Sequence, residues 1–418
     1  MANIFLGVVA DDFTGASDAA SFLVEAGVPV VLFNGIPQQH PKLRKEAGAI
    51  VIALKSRTAP VEEAVGESLA AFAWLKQMGA AQLYLKYCST FDSTPEGNIG
   101  PVIDAVMEQY GYDRTVLCPA LPVNGRTVKN GILYVNGVPL GESAMRNHPL
   151  TPMRQSRLAQ LMKPQGRHRC VEIEAGGEMP EVAGKYYLIP DYYEEEHGDW
   201  IAERFGDLPF LTGGSGLVGA LGRRYMDRQK KDPDKADGFY SGTEGKAILL
   251  AGSCSAVTLK QIADFERKGY PLCRIHPDEL LAGIQNLDQI WQWLLTEGTD
   301  GLIYSSAEPE DLRKSQELGR ERVASAIEQL LAGLAERAVK SGYTRVIVAG
   351  GETSGAVTKA LGHDAFYIGP SVAPGVPVMI PVANSNLRLV LKSGNFGQED
   401  FFERALRMTA HLVESTTA

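Results

Sequence analysis

Short apolar, β-branched runs recur along the chain, separated by longer stretches whose apolar positions repeat every three to four residues. The runs IFLGVVA (4–10), VPVVLF (28–33), AIVIAL (49–54), QLYLKY (82–87), RTVLCPA (114–120) and LPFLTG (208–213) predict strands. Between them, patterns such as SDAASFLVEAG and AVGESLAAFAWLKQMG predict amphipathic helices. Strands this uniformly apolar, alternating with helices, predict an α/β fold: a mostly parallel sheet covered on both faces. ILYVNGVPL departs from the rule, since Asn136-Gly137 between β-rich arms predicts a hairpin excursion.

From Arg223 to Lys246 the pattern dissolves into a charged stretch rich in Gly, Pro and Asp, which predicts a boundary. A second alternating series follows: AILLAG (247–252), YPLCRI (270–275), DGLIYSS (300–306), RVIVAGG (345–351) and LRLVLKSG (387–394), with a long helix around LGRERVASAIEQLLAGLAERAVKSG. The expected organisation is a first domain over 1–228, a linker over 229–245 and a second domain over 246–418, without a fixed repeat period.

Composition narrows the partners rather than the fold. The 418 residues are 44% hydrophobic and 22% charged, with a formal net charge of −9. That is globular composition without a basic footprint for nucleic acid or an anionic membrane. The five cysteines, Cys88, Cys118, Cys170, Cys254 and Cys273, form no CxxC pair, and the seven histidines show no ligand spacing. Cys254 sits at a predicted helix start but has no neighbouring base in the sequence. The start MANIFLGVVADDF lacks a basic stretch and meets Asp11 too soon for a secretory leader, so a cytoplasmic protein is expected. No apolar run reaches membrane-spanning length, and self-association is left open.

The chemistry is expected at the strand ends. In the second half LLAGSCSAVTLKQ, IVAGGETSGAVTKAL and LVLKSGNFGQEDFF each run from a strand through a small-residue loop into a helix. Such loops expose backbone N–H groups at the positive end of a helix dipole, which suits phosphate, and the hydroxyls of Ser255, Thr353 and Ser354 add donors. Neither GxxxxGK[ST] nor GxGxxG is present. In the first half the strand ends carry Asp11, Asp12 and Thr14; Ser56, Arg57 and Thr58; Lys86; and Asn124 and Arg126. Carboxylates suit sugar hydroxyls, while Arg57, Lys86 and Arg126 suit a carboxylate or phosphate, so a small polyhydroxy acid is the expected ligand. Asp18, inside the helical pattern, is expected to be a capping group.

ADDFTGASDAA, LKSRT, KYCSTFDSTPEGNIGP, CPALPVNGRTV, GGSGL, GSCSAVTLKQ, GGETSGAV, IGPSVAPGVP and LKSGNFG resemble, in order and from Asp11 to about Phe402, the four-carbon acid sugar kinase family. KYCSTFDSTPEGNIG with ESAMRNHPLTPM is similar to the 3-oxo-tetronate branch, whereas threonate or erythronate kinases tend to carry Arg where this chain has Glu96. The resemblance implies ATP-dependent transfer to the 4-hydroxyl of a four-carbon acid, with a substrate domain, a nucleotide domain and the active site in the cleft between them. It places ATP contacts on Ser255, Gly350, Gly351, Glu352, Thr353 and Gly394, and substrate contacts on the first-half loops, Asp92 and Ser93 included. In the mechanism expected from it, Asp12 accepts or orients the hydroxyl proton, and Asp11 places it or helps bind Mg²⁺. Adjacent carboxylates on an extended backbone are expected to point to opposite sides. Glu352 is expected to reach Mg²⁺ through water. The alternatives are a D-threonate or D-erythronate kinase, a non-catalytic sensor of nucleotide and sugar acid, or a two-domain ligase or dehydrogenase on similar layers.

Overall fold

The protein, seen in a computed structural model, is described over residues 4–38, 47–148, 150–229, 242–297, 300–305 and 318–410. It divides into two compact units, Met1–Asp237 and Gly238–Ala418. Most of the expected linker, 230–241, lies outside the described residues.

The first unit runs β1 (Leu6–Ala10), α1 (Phe13–Glu25), β2 (Val30–Asn34), β3 (Ala49–Ala53), α2 (Val61–Gln77), β4 (Gln82–Lys86), α3 (Ile99–Tyr110) and β5 (Arg114–Cys118). It continues with β6 (Arg126–Lys129), β7 (Ile132–Val135), β8 (Val138–Pro139), α4 (Leu158–Met162), β9 (Arg169–Ile173), β10 (Tyr186–Pro190), α5 (Glu195–Phe205), β11 (Phe210–Gly213) and α6 (Ser215–Gln229). Its strands lie in the order β2-β3-β1-β4-β11-β5-β10-β9, every neighbouring pair parallel. Every residue of β1 and β3 is buried, as an apolar strand covered on both faces must be. Gly7 lets α2 press onto β1: a Cβ there would lie 3.0 Å from Ala80 and 3.1 Å from Leu75. The hairpin forms as predicted, with Asn136 and Gly137 both at positive φ, inside a small three-stranded antiparallel sheet β6-β7-β8.

The second unit runs β12 (Ala247–Ala251), α7 (Ala256–Arg267), β13 (Leu272–Arg274), α8 (Pro277–Leu281), α9 (Leu287–Glu297), β14 (Leu302–Tyr304) and α10 (Arg320–Lys340). Then come β15 (Arg345–Ala349), α11 (Gly351–Leu361), β16 (Ala365–Ala373), β17 (Val376–Pro381), β18 (Arg388–Lys392) and α12 (Phe401–Thr409). The order is β13-β14-β12-β15-β18-β17-β16, parallel except where β17 runs antiparallel to both neighbours. The sequence reading missed β16 and β17, because AFYIGPSVAPGVPVMIP reads as a Pro-Gly loop; the positive φ of Gly375 makes it a hairpin instead. Phe265, Phe401 and Phe402 pack with Leu249, Ile347 and Val390 in the core. Each such side chain contributes roughly 1.5–3 kcal/mol of burial. Among the described residues no helix is long and apolar enough to cross a membrane, and all five cysteines are free.

Candidate active site

In the first unit the parallel register brings the carboxyl ends of β1, β4, β11 and β5 side by side, so the loops that follow them share one edge. Backbone hydrogen bonds stitch these loops before any side chain acts: Asp11 N–H to the Lys86 carbonyl at 3.1 Å, and Ser56 N–H to the Asp11 carbonyl at 3.1 Å.

Arg57 is the hub of this edge. Its Nε donates to Asp11 Oδ2 at 2.8 Å and its Nη2 to Asp11 Oδ1 at 2.9 Å, a two-pronged fork. The same Nη2 lies 3.0 Å from Asp12 Oδ1, and Nη1 lies 3.8 Å from Asp92 Oδ2. Asp11 and Asp12 therefore do not part to opposite sides; a side chain arriving from the β3–α2 loop draws both onto one guanidinium. The fork on Asp11 also makes Arg57 a holder of the carboxylates rather than the free cation anticipated for a substrate's acid group. Asn98, which the sequence reading passed over, clamps the Arg57 loop by donating to the carbonyls of Ser56 at 2.7 Å and Ala59 at 2.8 Å.

Asp12, expected to be more than a cap, is also the N-cap of α1: Oδ1 accepts from Gly15 N–H at 2.7 Å. Burial and the neighbouring Asp11 charge raise its pKa, against the pull of Arg57 and Lys86. A carboxyl so tuned suits proton transfer. Gly15 is required here, since a Cβ would sit 2.5 Å from Asp12 Oδ1 and 3.1 Å from Lys86 Nζ. Lys86 is buried at the end of β4 and donates to the Tyr87 carbonyl at 3.0 Å.

Asp18, expected to cap a helix, instead lies within α1, where Oδ2 accepts a hydrogen bond from Ser215 Oγ at the start of α6. Arg126 donates through Nη1 to the Asn124 carbonyl, so Asn124 offers its backbone here. Thr14 is half-buried in the first turn of α1. Ser93 turns away, donating to Gln165 at 2.9 Å, and Asp92 accepts from Thr90 at 2.7 Å. Phe91 and Asp92 both hold positive φ, 68° and 46°, a strained pair of the kind found where a loop is fixed for function.

In the second unit the loops after β12, β15 and β18 meet so closely that only glycine fits between them. A Cβ at Gly252 would collide with Thr353 Oγ1, and one at Gly394 with Ser253 Oγ. Gly350 has a φ of 131° and its N–H bonds the Lys392 carbonyl at 2.9 Å. Ser255 caps α7, accepting from Thr258 N–H at 3.1 Å, and donates its hydroxyl proton to the Gly394 carbonyl at 2.5 Å. Its hydroxyl thus sits at the loop junction, beside the Gly394 carbonyl and Thr258.

Beside these loops lies a cavity of about 590 Å³, lined by Gly252, Ser253, Gly350, Gly351, Glu352 and Thr353, and on its far wall by α10. That helix, expected from the sequence only as a long helix, contributes Arg320, Val323, Ala324, Ile327 and Glu328; nothing in their spacing marks a cavity wall. The size and the glycine-lined rim with two helix N-termini fit a nucleotide, Arg320 giving the wall positive charge. Glu352 and Glu328 line the same space, and burial together with Glu352 raises the Glu328 pKa. Among the described residues no third carboxylate, histidine or thiol joins them as a metal-binding group. That donor set fits Mg²⁺ held mainly by water and phosphate.

Lys392 is a further feature of this rim that the sequence did not mark. Its Nζ is buried and donates to Thr258 Oγ1 at 2.9 Å and to the Gly394 carbonyl at 3.1 Å, and among the described residues it has no carboxylate partner. Burial lowers its pKa to about 8. Between about 8 and 10.5 the unfolded chain holds a proton that the folded chain lacks, so stability from this group rises with pH. The urea-midpoint gap between wild type and Lys392→Met is therefore expected to move toward wild type by up to about 2 kcal/mol from pH 7.5 to pH 10.

A family model described as a sugar-binding N-terminal domain matches residues 6–221, and one described as a nucleotide-binding C-terminal domain matches residues 248–402. A 3-oxo-tetronate kinase of Brucella melitensis is 43% identical over 96% of this chain and 95% of its own. One of Haemophilus influenzae is 42% identical over 96% of this chain and 99% of its own. A crystal structure of a Haemophilus influenzae protein, 40% identical, superposes with a TM-score of 0.84 over 96% of this chain and 100% of that chain. One from Salmonella typhimurium, 41% identical, gives 0.86 over 96% of this chain and 98% of that chain.

Proposed function

We propose, for a chain that belongs to the four-carbon acid sugar kinase family and is a sugar acid kinase, that it phosphorylates the 4-hydroxyl of 3-oxo-tetronate with ATP. The observation that carries this reading is the division of chemistry between the units. Carboxylates and cations gather on the strand edge of one, and a glycine-rimmed cavity with two helix N-termini opens in the other. Full-length relatives named 3-oxo-tetronate kinase support the choice of acid, as does Glu96 in place of the Arg typical of threonate and erythronate kinases.

On this reading Asp12 accepts the proton of the 4-hydroxyl, with Arg57 and Asp11 fixing its position and Lys86 tempering its charge. Phosphoryl transfer asks chiefly for positioning and charge neutralisation. Glycine backbone around Gly350, Gly351 and Gly394, with Thr353, holds the phosphates of ATP. Glu352 would hold Mg²⁺ through water, and the ion would supply further charge neutralisation. Arg126 and Lys86 hold the acid's carboxylate. The domain limits 1–228 and 246–418 and a cytoplasmic setting for the free thiols belong to the same proposal.

An ADP-release assay across 3-oxo-tetronate, D-threonate and D-erythronate tests it. The 3-oxo acid is expected to give a kcat/KM at least tenfold above the others, with product carrying phosphate on the 4-oxygen. A higher value for threonate or erythronate overturns the substrate, and tight binding of ATP and acid without ADP release overturns catalysis in favour of a sensor.

A further inference from the structure

Among the described residues, Asp18 Oδ1 and Arg126 Nε are buried polar atoms of the first unit without a hydrogen-bond partner, as is Asn98 Oδ1 beside the Arg57 loop. Buried polar atoms are nearly always paired, so such exceptions call for a cause. Asp18 and Arg126 are not independent. Arg126 and Lys86 both act electrostatically on Asp18. Asp18 is also held from the other side, since Ser215 Oγ donates to its Oδ2.

Four elements build this arrangement. α1 carries Gly15 and Asp18 three residues apart, so they share one face, and Asp12 caps its start. β4 delivers Lys86, whose Nζ passes over Gly15, where no side chain obstructs it. The segment after β5 delivers Arg126. The turn between β11 and α6 delivers Ser215, and it fits only because Gly214 has no side chain: a Cβ there would lie 2.5 Å from the Pro119 carbonyl oxygen. Tyr84 fastens that turn by donating to the Gly214 carbonyl at 2.8 Å. Asp18 is therefore placed from several directions, with one oxygen saturated and the other left open beside two cations.

Two cations and one open carboxylate oxygen form a complementary set for an acid bearing a hydroxyl on the adjacent carbon. The cations face its carboxylate, and the open oxygen accepts from the hydroxyl. We infer that Asp18 is a substrate-binding, specificity-determining residue that reads the 2-hydroxyl of the acid, its Oδ1 and Arg126 Nε completing their hydrogen bonds on the ligand. This rests on the sugar-acid reading of the first unit and goes beyond it by assigning a group on the acid to a residue.

The stable pair 2,4-dihydroxybutanoate and 4-hydroxybutanoate, which differ only in the 2-hydroxyl, isolates that contact. Wild type is expected to bind the dihydroxy acid about a hundredfold more tightly, because a site built to bond a hydroxyl rejects the analogue lacking it. In Asp18→Ala the preference is expected to fall to about threefold or less, with the KM for ATP unchanged. A merely structural Asp18 would weaken both acids equally, and that result overturns the inference. Should Asp18→Ala not fold, Ser215→Ala, which frees Asp18 without removing it, is expected to cut the preference about tenfold; an unchanged preference overturns the inference. Binding measured by calorimetry separates this test from the kinase reading. Discrimination that vanishes in the variant without any phosphorylated product sinks the kinase and keeps the contact, whereas turnover with undiminished discrimination does the reverse.

Discussion

Asp12→Asn is expected to lower kcat about a thousandfold, the middle of the range for losing a general base, while leaving the KM for ATP within a few-fold. The substitution is chosen because Asp12 has two jobs. Its Oδ1 caps α1 through Gly15 N–H, and Asn caps a helix as well as Asp does, so the helix survives. What disappears is the negative charge. The sign of the stability change is itself diagnostic. Burial and Asp11 raise the Asp12 pKa, so the folded state favours the protonated form. Its stabilising share is full below the unfolded value of 3.8 and is lost as pH rises through the folded value. At pH 7.5 the Asn variant is therefore expected to melt at or slightly above the wild-type temperature while turning over far more slowly. Turnover within a few-fold of wild type would exclude Asp12 as the base, and loss of acid binding alone would make it a positioning group.

Arg57→Gln should destabilise the first unit by about 3 kcal/mol at pH 7.5, because it strips the cation from Asp11, Asp12 and Asp92 together. Arg57 is largely shielded from water, with 24% of its side chain exposed, so solvent replaces it poorly. Part of the deficit comes from Asp12, whose pKa burial and Asp11 already raise and which Arg57 holds down. Without Arg57 it rises further, so this part is present above the folded value and shrinks as pH falls through it. Urea midpoints at pH 7.5 and pH 4.5 check this. An equal loss at both would mean that Arg57 acts through packing of its stem, not through charge.

The strands that position these groups were legible because burial on both faces leaves an unmistakable apolar run, as in LGVVA or AILLA. The loop chemistry was legible for the same reason: Asp11, Lys86 and Gly350 follow directly on such runs. What stayed hidden was pairing over distance. Asp18 meets Ser215 across 197 positions, and Arg57 meets Asp11 across 46, and no local pattern encodes either partner. Helical spacing shows that one face of α10 is apolar but not that it lines a cavity, since a wall and a core both demand Val323 and Ile327. Lys392 was invisible because a lysine at a strand end usually reaches water; here Thr258 and the Gly394 carbonyl hold it inside.

The two sheets share a habit with a consequence for how the chain is made. In each unit the strand that fills the gap near the middle of the sheet comes last. β11 slots between β4 and β5, and β18 between β15 and β17. Until Phe210–Gly213 has been synthesised, β4 and β5 have no common neighbour, and Lys86 and Cys118, at their carboxyl ends, belong to separate fragments of sheet. Until Arg388–Lys392 and the loop after it have left the ribosome, Ser255 lacks the Gly394 carbonyl that it bonds. Non-local pairing of this kind is slow, and its unpaired edges invite aggregation. A nascent chain stalled short of either strand would leave the flanking strands of that unit with unpaired edges.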